Sequence, residues 1–195
     1  MARRARFSPD PLDLCWHSRE PVFALFPLTI LMVDSFADVI RALNAMKETG
    51  PLREYAIAGA MALVFWTEPI ATFDVDVLVW LSKPKGSITT LDDLYDWAKT
   101  HAYPIEAEHI FVSGVPVQFL PSHNALADEA IATAVALDYE GESVRVVRPE
   151  YLIALYLEPS AKTSKRRERA AALVESPDID QDLLEKVLAR YNLAW

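Results

Sequence analysis

The sequence predicts an α/β (α+β) fold, a mixed β-sheet core with flanking helices and a C-terminal helical tail. Three observations lead there. Short apolar strands alternate with stretches of helical period. Two of the strands, His109–Val112 and Val115–Leu120, follow each other too closely for an all-parallel sheet. Neither a G-x-G-x-x-G turn nor a Walker loop is present to argue for a Rossmann-like arrangement.

The first regular element begins at Ser35, where Phe36, Val39, Ile40, Leu43 and Met46 recur at helical spacing and Ser35 with Asp38 resembles a capping box. Gly50-Pro51 stops that helix. Tyr55–Ala58 reads as a short buried strand running into Gly59, and Ala60–Thr67 as a short helix ended by Pro69. Phe73–Leu81 is the strongest strand, with Val75, Val77 and Val79 on one face. A helix from Thr90 through Trp97 follows, then the two strands joined by Ser113-Gly114. Ser122 is placed to cap a helix through Val135, and Val144–Val147 reads as a last strand. Pro149 suits the first turn of a helix, with Glu150 serving its N-terminus. Lys162–Glu175 and Ile179–Tyr191 carry two further helical patterns.

The segment before Ser35 fits poorly. Pro9, Pro11, Pro21 and Pro27 break any period, and Met32 stands just ahead of the helix. An irregular strap over the core and an extension preceding a start at Met32 both account for it. The expected organisation is an irregular extension over 1–34, a core over 35–160 and a helical segment over 161–195 packed on that core.

Length and composition narrow the function. A chain of 195 residues, 52% apolar, suffices for one domain with a proper core. The single cysteine, Cys15, excludes an internal disulfide or a multi-cysteine zinc site and suits a cytoplasmic protein. A net charge of −9 argues against coating nucleic acid by bulk electrostatics. The apolar run Pro21–Val33 is interrupted by Pro27 and too short to span a bilayer. Arg3, Arg4 and Arg6 give it the look of a signal peptide, but charged residues intervene and no small-residue cleavage site follows.

The informative stretch is Gly59-Ala60, thirteen residues, then Asp74-Val75-Asp76. Residues two apart in a strand share a face, so the two carboxylates project together. At ~4 Å they would repel by up to ~4 kcal/mol at an effective dielectric of 20. A divalent cation with oxygen preference offsets that, and Mg²⁺ takes one or two carboxylates and completes its shell with water and phosphate oxygens. Gly59, lacking a Cβ, lets a phosphate approach the backbone at the start of the following helix. Taken alone, a D-x-D at a strand end is usually a solvated edge, and a Gly-Ala after a strand carries little information. Their joint occurrence, with strand–helix–strand between, supports a site for triphosphate with Mg²⁺.

The pattern resembles the DNA polymerase beta-type nucleotidyltransferase superfamily, whose signature is a glycine pair followed by D-x-D on the next strand. More narrowly it resembles small bacterial AbiEii-type proteins. The likeness runs from about Ser35 to the C-terminus and includes Gly59, Ala60, Thr72, Asp74, Asp76, the strand Gly114–Leu120, the helix start Pro149–Leu152 and a basic helix after it. It implies nucleotidyl transfer from an NTP, with Mg²⁺ or Mn²⁺, to an acceptor hydroxyl on RNA, protein or a small molecule. Asp74 and Asp76 would hold the metal; Gly59, Ala60 and Thr72 would line the phosphates. The helix carrying Lys162, Lys165, Arg166, Arg167 and Arg169 is by default a solvated face, yet the resemblance turns it toward the nucleotide, with Lys165 and Arg169 as phosphate partners.

Three departures bear on turnover. Ala60 replaces the serine of the glycine pair, Ile70 stands where many relatives carry arginine, and Gln118 occupies the strand position that commonly supplies a third carboxylate. If its strand neighbours Phe73–Leu81, Gln118 lies beside the aspartates. An amide there cannot take a proton from an acceptor hydroxyl. Glu106, Glu108 and Asp128 are the candidate substitutes. A nucleotide-binding regulatory or toxin–antitoxin module with little turnover is therefore the competing expectation. His101, His109 and His123 show no metal-ligand spacing and read as surface or capped loop residues.

Overall fold

A computed structural model describes residues 27–67, 72–82, 91–159 and 163–195. The elements run α1 (Pro27–Thr49), β1 (Leu52–Ile57), α2 (Gly59–Val64), β2 (Val75–Leu81), α3 (Asp92–Thr100), β3 (Ile105–Glu106), β4 (His109–Val112), β5 (Val115–Pro121), α4 (Ala125–Ala132), β6 (Val135–Tyr139), β7 (Glu142–Val146), α5 (Pro149–Leu157), α6 (Ser164–Val174) and α7 (Gln181–Arg190). The seven strands form one mixed sheet in the order β3-β4-β5-β2-β1-β7-β6. The expected α/β class with a mixed sheet is what the chain adopts.

The strongest sequence signals became the centre of the sheet. β2 pairs antiparallel with β1 and parallel with β5. Val75, Val77 and Val79 are 0–2% exposed on one face. That face receives α1, which packs on β1, β4, β5 and β7 through Phe36, Ile40, Leu43 and Met46. Each such side chain contributes about 1.5–3 kcal/mol when fully buried. The opposite face of β1 and β2 is covered by α4, with α2 beside β2; α5 packs on α4 and carries α6 and α7 outside it.

Several boundaries differ from expectation, each for a local reason. α1 starts at Pro27, so Ser35 lies inside the helix and is no cap; Asp38 instead pairs with Arg41 and accepts from Ser113 Oγ at 2.5 Å. Residues 1–26, including Cys15, lie outside those described, as do Pro69, Ile70 and Lys162. The cap of α4 is Asn124, whose side chain accepts from Ala127 N at 2.8 Å, while Ser122 Oγ donates to Asp128 at 2.6 Å. Val135, read as the end of that helix, begins β6. The β6–β7 hairpin turns on Glu140 and Gly141, both at positive φ (52° and 82°), the backbone that a two-residue hairpin of primed type requires. Ser113 and Gly114 make the same turn between β4 and β5, as expected (φ 50° and 81°).

The C-terminal helices are tied to the core by polar contacts. Glu150 is fully buried and accepts from Arg148 Nε at 3.2 Å and Asp180 N at 2.8 Å. It therefore serves the start of α7 rather than only its own helix. Ser176 Oγ donates to Trp66 O at 2.7 Å, and Glu129 on α4 accepts from Tyr151, Tyr191 and Arg190.

Candidate active site

Asp74 lies immediately before β2 and is exposed; Asp76 lies within the strand and is half-buried. The strand's alternation turns Asp76 away from α1, toward the side where α2, α5 and α6 stand. Thr72 Oγ1 donates to Asp74 Oδ1 at 3.0 Å, orienting the more exposed carboxylate.

Gly59 stands against Asp76. Ala58 N donates to Asp76 O at 2.8 Å, which locks the end of β1 onto β2 beside the turn into α2. Gly59 sits at φ +57°, and a Cβ built there would lie 1.9 Å from Asp76 Oδ2. Only glycine satisfies both the left-handed backbone and that close approach. The first turn of α2 has no side-chain cap at Ala58, and Ala60 is buried behind it.

The surroundings of Asp76 are charged. Burial, and then the neighbouring Asp74, push its carboxyl above the ordinary aspartate range; Arg166, Arg169 and His109 pull it back. Arg169, expected from the resemblance to be a phosphate partner, is one of the cations whose charge acts on Asp76. Lys165 is exposed on the same helix, and the second cation felt by Asp76 is Arg166.

Gln118 is in register with Asp76 across the parallel β2–β5 pair, and His109 is in register with Gln118 across β4–β5. Directly opposite residues share a face, so Asp76, Gln118 and His109 form one polar row, which Glu106 on β3 continues. Of the candidate substitute carboxylates, Asp128 is engaged by Trp80 Nε1 at 2.7 Å and by Ser122, while Glu106 and Glu108 are exposed around the β3–β4 turn. His109, read from sequence as a surface or loop residue, is half-buried in a strand. Its register could have been counted from the Ser113-Gly114 turn. The approach of Arg166 to Asp76 had no local sequence signal beyond the basic run on α6.

The donor set suits a hard divalent cation accompanied by phosphate. Two carboxylates, one raised by burial and then by its partner's charge, lower their mutual repulsion by sharing such an ion. Among the described residues no group of three or more His, Cys, Asp or Glu side chains could enclose a metal. The remaining ligands would have to come from water and substrate.

Solved structures resemble the chain, among them the following two. The solution structure of the antibiotic-resistance factor ANT(2'')-Ia, described as having substrate-regulated conformation dynamics, matches at TM-score 0.50 and 16% identity, over 84% of this chain and 92% of that one. An antigenic nucleotidyltransferase-like protein from Paracoccidioides brasiliensis matches at TM-score 0.52 and 17% identity, over 81% and 87%. No protein-family model matches the sequence, and neither does any curated protein sequence. At these identities the likeness is one of fold alone, shared with a protein described as nucleotidyltransferase-like.

Proposed function

We propose that this chain, a nucleotidyltransferase by fold, transfers a nucleotidyl group from a metal-bound NTP to an acceptor hydroxyl. The observation that carries the reading is the approach of Gly59 to Asp76. A turn that only glycine can occupy is held against a half-buried carboxylate, with a second carboxylate two residues away. A purely structural strand end has no need of that combination.

Asp74 and Asp76 would hold Mg²⁺ or Mn²⁺, and Thr72 fixes the orientation of Asp74. The metal's contribution when bound is to neutralise charge on the phosphates and on the leaving pyrophosphate. The open backbone of Gly59 and Ala60 gives the phosphate chain room to approach, and Arg166 and Arg169 supply fixed positive charge on the same side. Gln118, beside Asp76, can donate a hydrogen bond to a phosphate oxygen or to the carboxylate, but it cannot accept the acceptor's proton.

That amide favours a second reading, a nucleotide-binding regulatory module with little turnover. A toxin–antitoxin role accords with the AbiEii-type resemblance under either reading, and the single cysteine with a cytoplasmic setting. No described helix is long and apolar enough to cross a membrane. Incubation with labelled NTPs, Mg²⁺ or Mn²⁺, and total RNA or lysate separates the two. Label transferred to RNA, protein or a small molecule supports transfer, whereas saturable binding without transfer supports the second reading.

A further inference from the structure

Gln118 leaves one step of the transfer without a residue, since an amide cannot take the acceptor's proton. The same row of the sheet holds a group that can. His109 faces Gln118 across β4–β5 as Asp76 faces it across β2–β5, so a carboxylate and an imidazole leave the sheet on one side with the amide between them. Neighbouring strands are about 4.8 Å apart, which puts the His109 backbone about 10 Å from that of Asp76. The space over Gln118 is therefore bounded by the carboxylate on one side and the ring on the other.

The His109 ring is half-buried, and among the described residues no hydrogen bond or ion pair engages its nitrogens. A neutral imidazole keeps one nitrogen as an acceptor, and it is the side chain most often used to take a proton from a reacting group. Asp76 feels the ring: burial and Asp74 raise that carboxyl, and His109 is among the groups that lower it. Glu106 continues the row but lies one strand farther out and is exposed. Asp74 and Asp76 themselves are committed to the metal on the nucleotidyl-transfer reading.

We propose that His109 is the catalytic base of the transfer, taking the proton of the acceptor hydroxyl where Gln118 provides no carboxylate to do so. The acceptor oxygen forms its bond to the α-phosphorus while the bond from that phosphorus to the oxygen bridging the β-phosphate breaks. Pyrophosphate leaves with the bonding electrons, and the hydroxyl proton passes to the unprotonated ring nitrogen and from there to water. The inference rests on the nucleotidyl-transfer reading and adds the acceptor's side to it: the acceptor enters over β5 and β4, across Gln118 from the metal.

The test has a binding arm in the wild type and a turnover arm in two variants. On addition of ATP, GTP, CTP and UTP with Mg²⁺, the assigned NMR ring signals of His109 should shift, while those of His101 and His123, which lie off this row, stay in place. With labelled NTPs, Mg²⁺ and total RNA or lysate, and enzyme in excess over NTP, His109→Gln and His109→Ala should each transfer roughly a hundredfold more slowly than wild type. Their nucleotide Kd should stay within about twofold of the wild-type value. Free imidazole should speed His109→Ala about tenfold, by occupying the space the ring has left, and should not help His109→Gln. Wild-type rates in both variants overturn the base role and leave the nucleotidyl-transfer reading standing. A loss that imidazole does not recover makes His109 structural and overturns the role as well, as do ring signals that nucleotide does not move. A wild type that binds nucleotide without transferring it, or binds none, removes the nucleotidyl-transfer reading and the base with it.

Discussion

Gly59 and Asp76 exclude each other's alternatives: a methyl group on the glycine would stand 1.9 Å from Asp76 Oδ2, in a backbone conformation that already disfavours any side chain. Gly59→Ala should therefore cost about 2 kcal/mol or more, combining the left-handed penalty with the displaced carboxylate. The cost should shrink in an Asp76→Ala background, where the nearest clashing atoms are gone. Urea denaturation of the two single variants and the double variant measures this. Strict additivity would mean that the two residues do not meet.

The raised carboxyl of Asp76 gives a second expectation. A group whose folded pKa lies above its unfolded one supports the fold at low pH and loses that support as pH rises through the folded value. At neutral pH, ionised Asp76 therefore weakens the ligand-free protein. Asp76→Asn should melt higher than wild type at pH 7, and the advantage should vanish in acid. A variant that is less stable at pH 7 would show that the carboxylate is already compensated within the protein.

Glu129 behaves in the opposite sense. The Tyr191 hydroxyl, with Arg190 and Tyr151, holds its carboxyl below the ordinary glutamate range. Its contribution is present above the unfolded value and is lost as pH falls through the folded one. Glu129→Gln should cost about 1 kcal/mol at neutral pH by loosening α4 from α5 and α7, with the gap closing in acid. Equal thermal denaturation of the two proteins at pH 7, or a gap constant into acid, would contradict this.

On the proposed reading, the amide of Gln118 limits turnover. Its register with Asp76 means that Gln118→Asp adds a carboxylate beside the existing pair. Divalent-metal affinity should tighten and transfer should rise several-fold in an assay that already detects it. A brisk wild type slowed by the substitution would instead make Gln118 a working member of the site.

The carboxylate pair, the glycine turn and the Ser113-Gly114 hairpin were legible because each depends on neighbours in sequence. Strand alternation was expected to put Asp74 and Asp76 on one side; Asp74 lies just before β2, yet its charge still acts on Asp76, and a two-residue turn sets the β4–β5 register. The Glu140-Gly141 hairpin was missed because glutamate is an unusual first residue for a primed turn, and alanines running up to Val135 read as continued helix. Ser122 was mistaken for the α4 cap because Asn124, two residues later, competes for the same role. Arg166 comes near Asp76 only through the packing of α6, which no local pattern encodes, whereas His109 follows from the β4–β5 register once β5 pairs with β2.

The most direct test of the metal–nucleotide site is thermal unfolding of wild type and of the Asp74→Asn, Asp76→Asn double variant, with and without NTP and Mg²⁺. A ligand bound only to the native state stabilises it by RT ln(1 + [L]/Kd), about 2.7 kcal/mol at a hundredfold excess over Kd. The wild type should melt higher with NTP and Mg²⁺ together. The double variant should show no such rise while being at least as stable when ligand-free. A nucleotide-dependent rise of the same size in both proteins would contradict the assignment of Asp74 and Asp76.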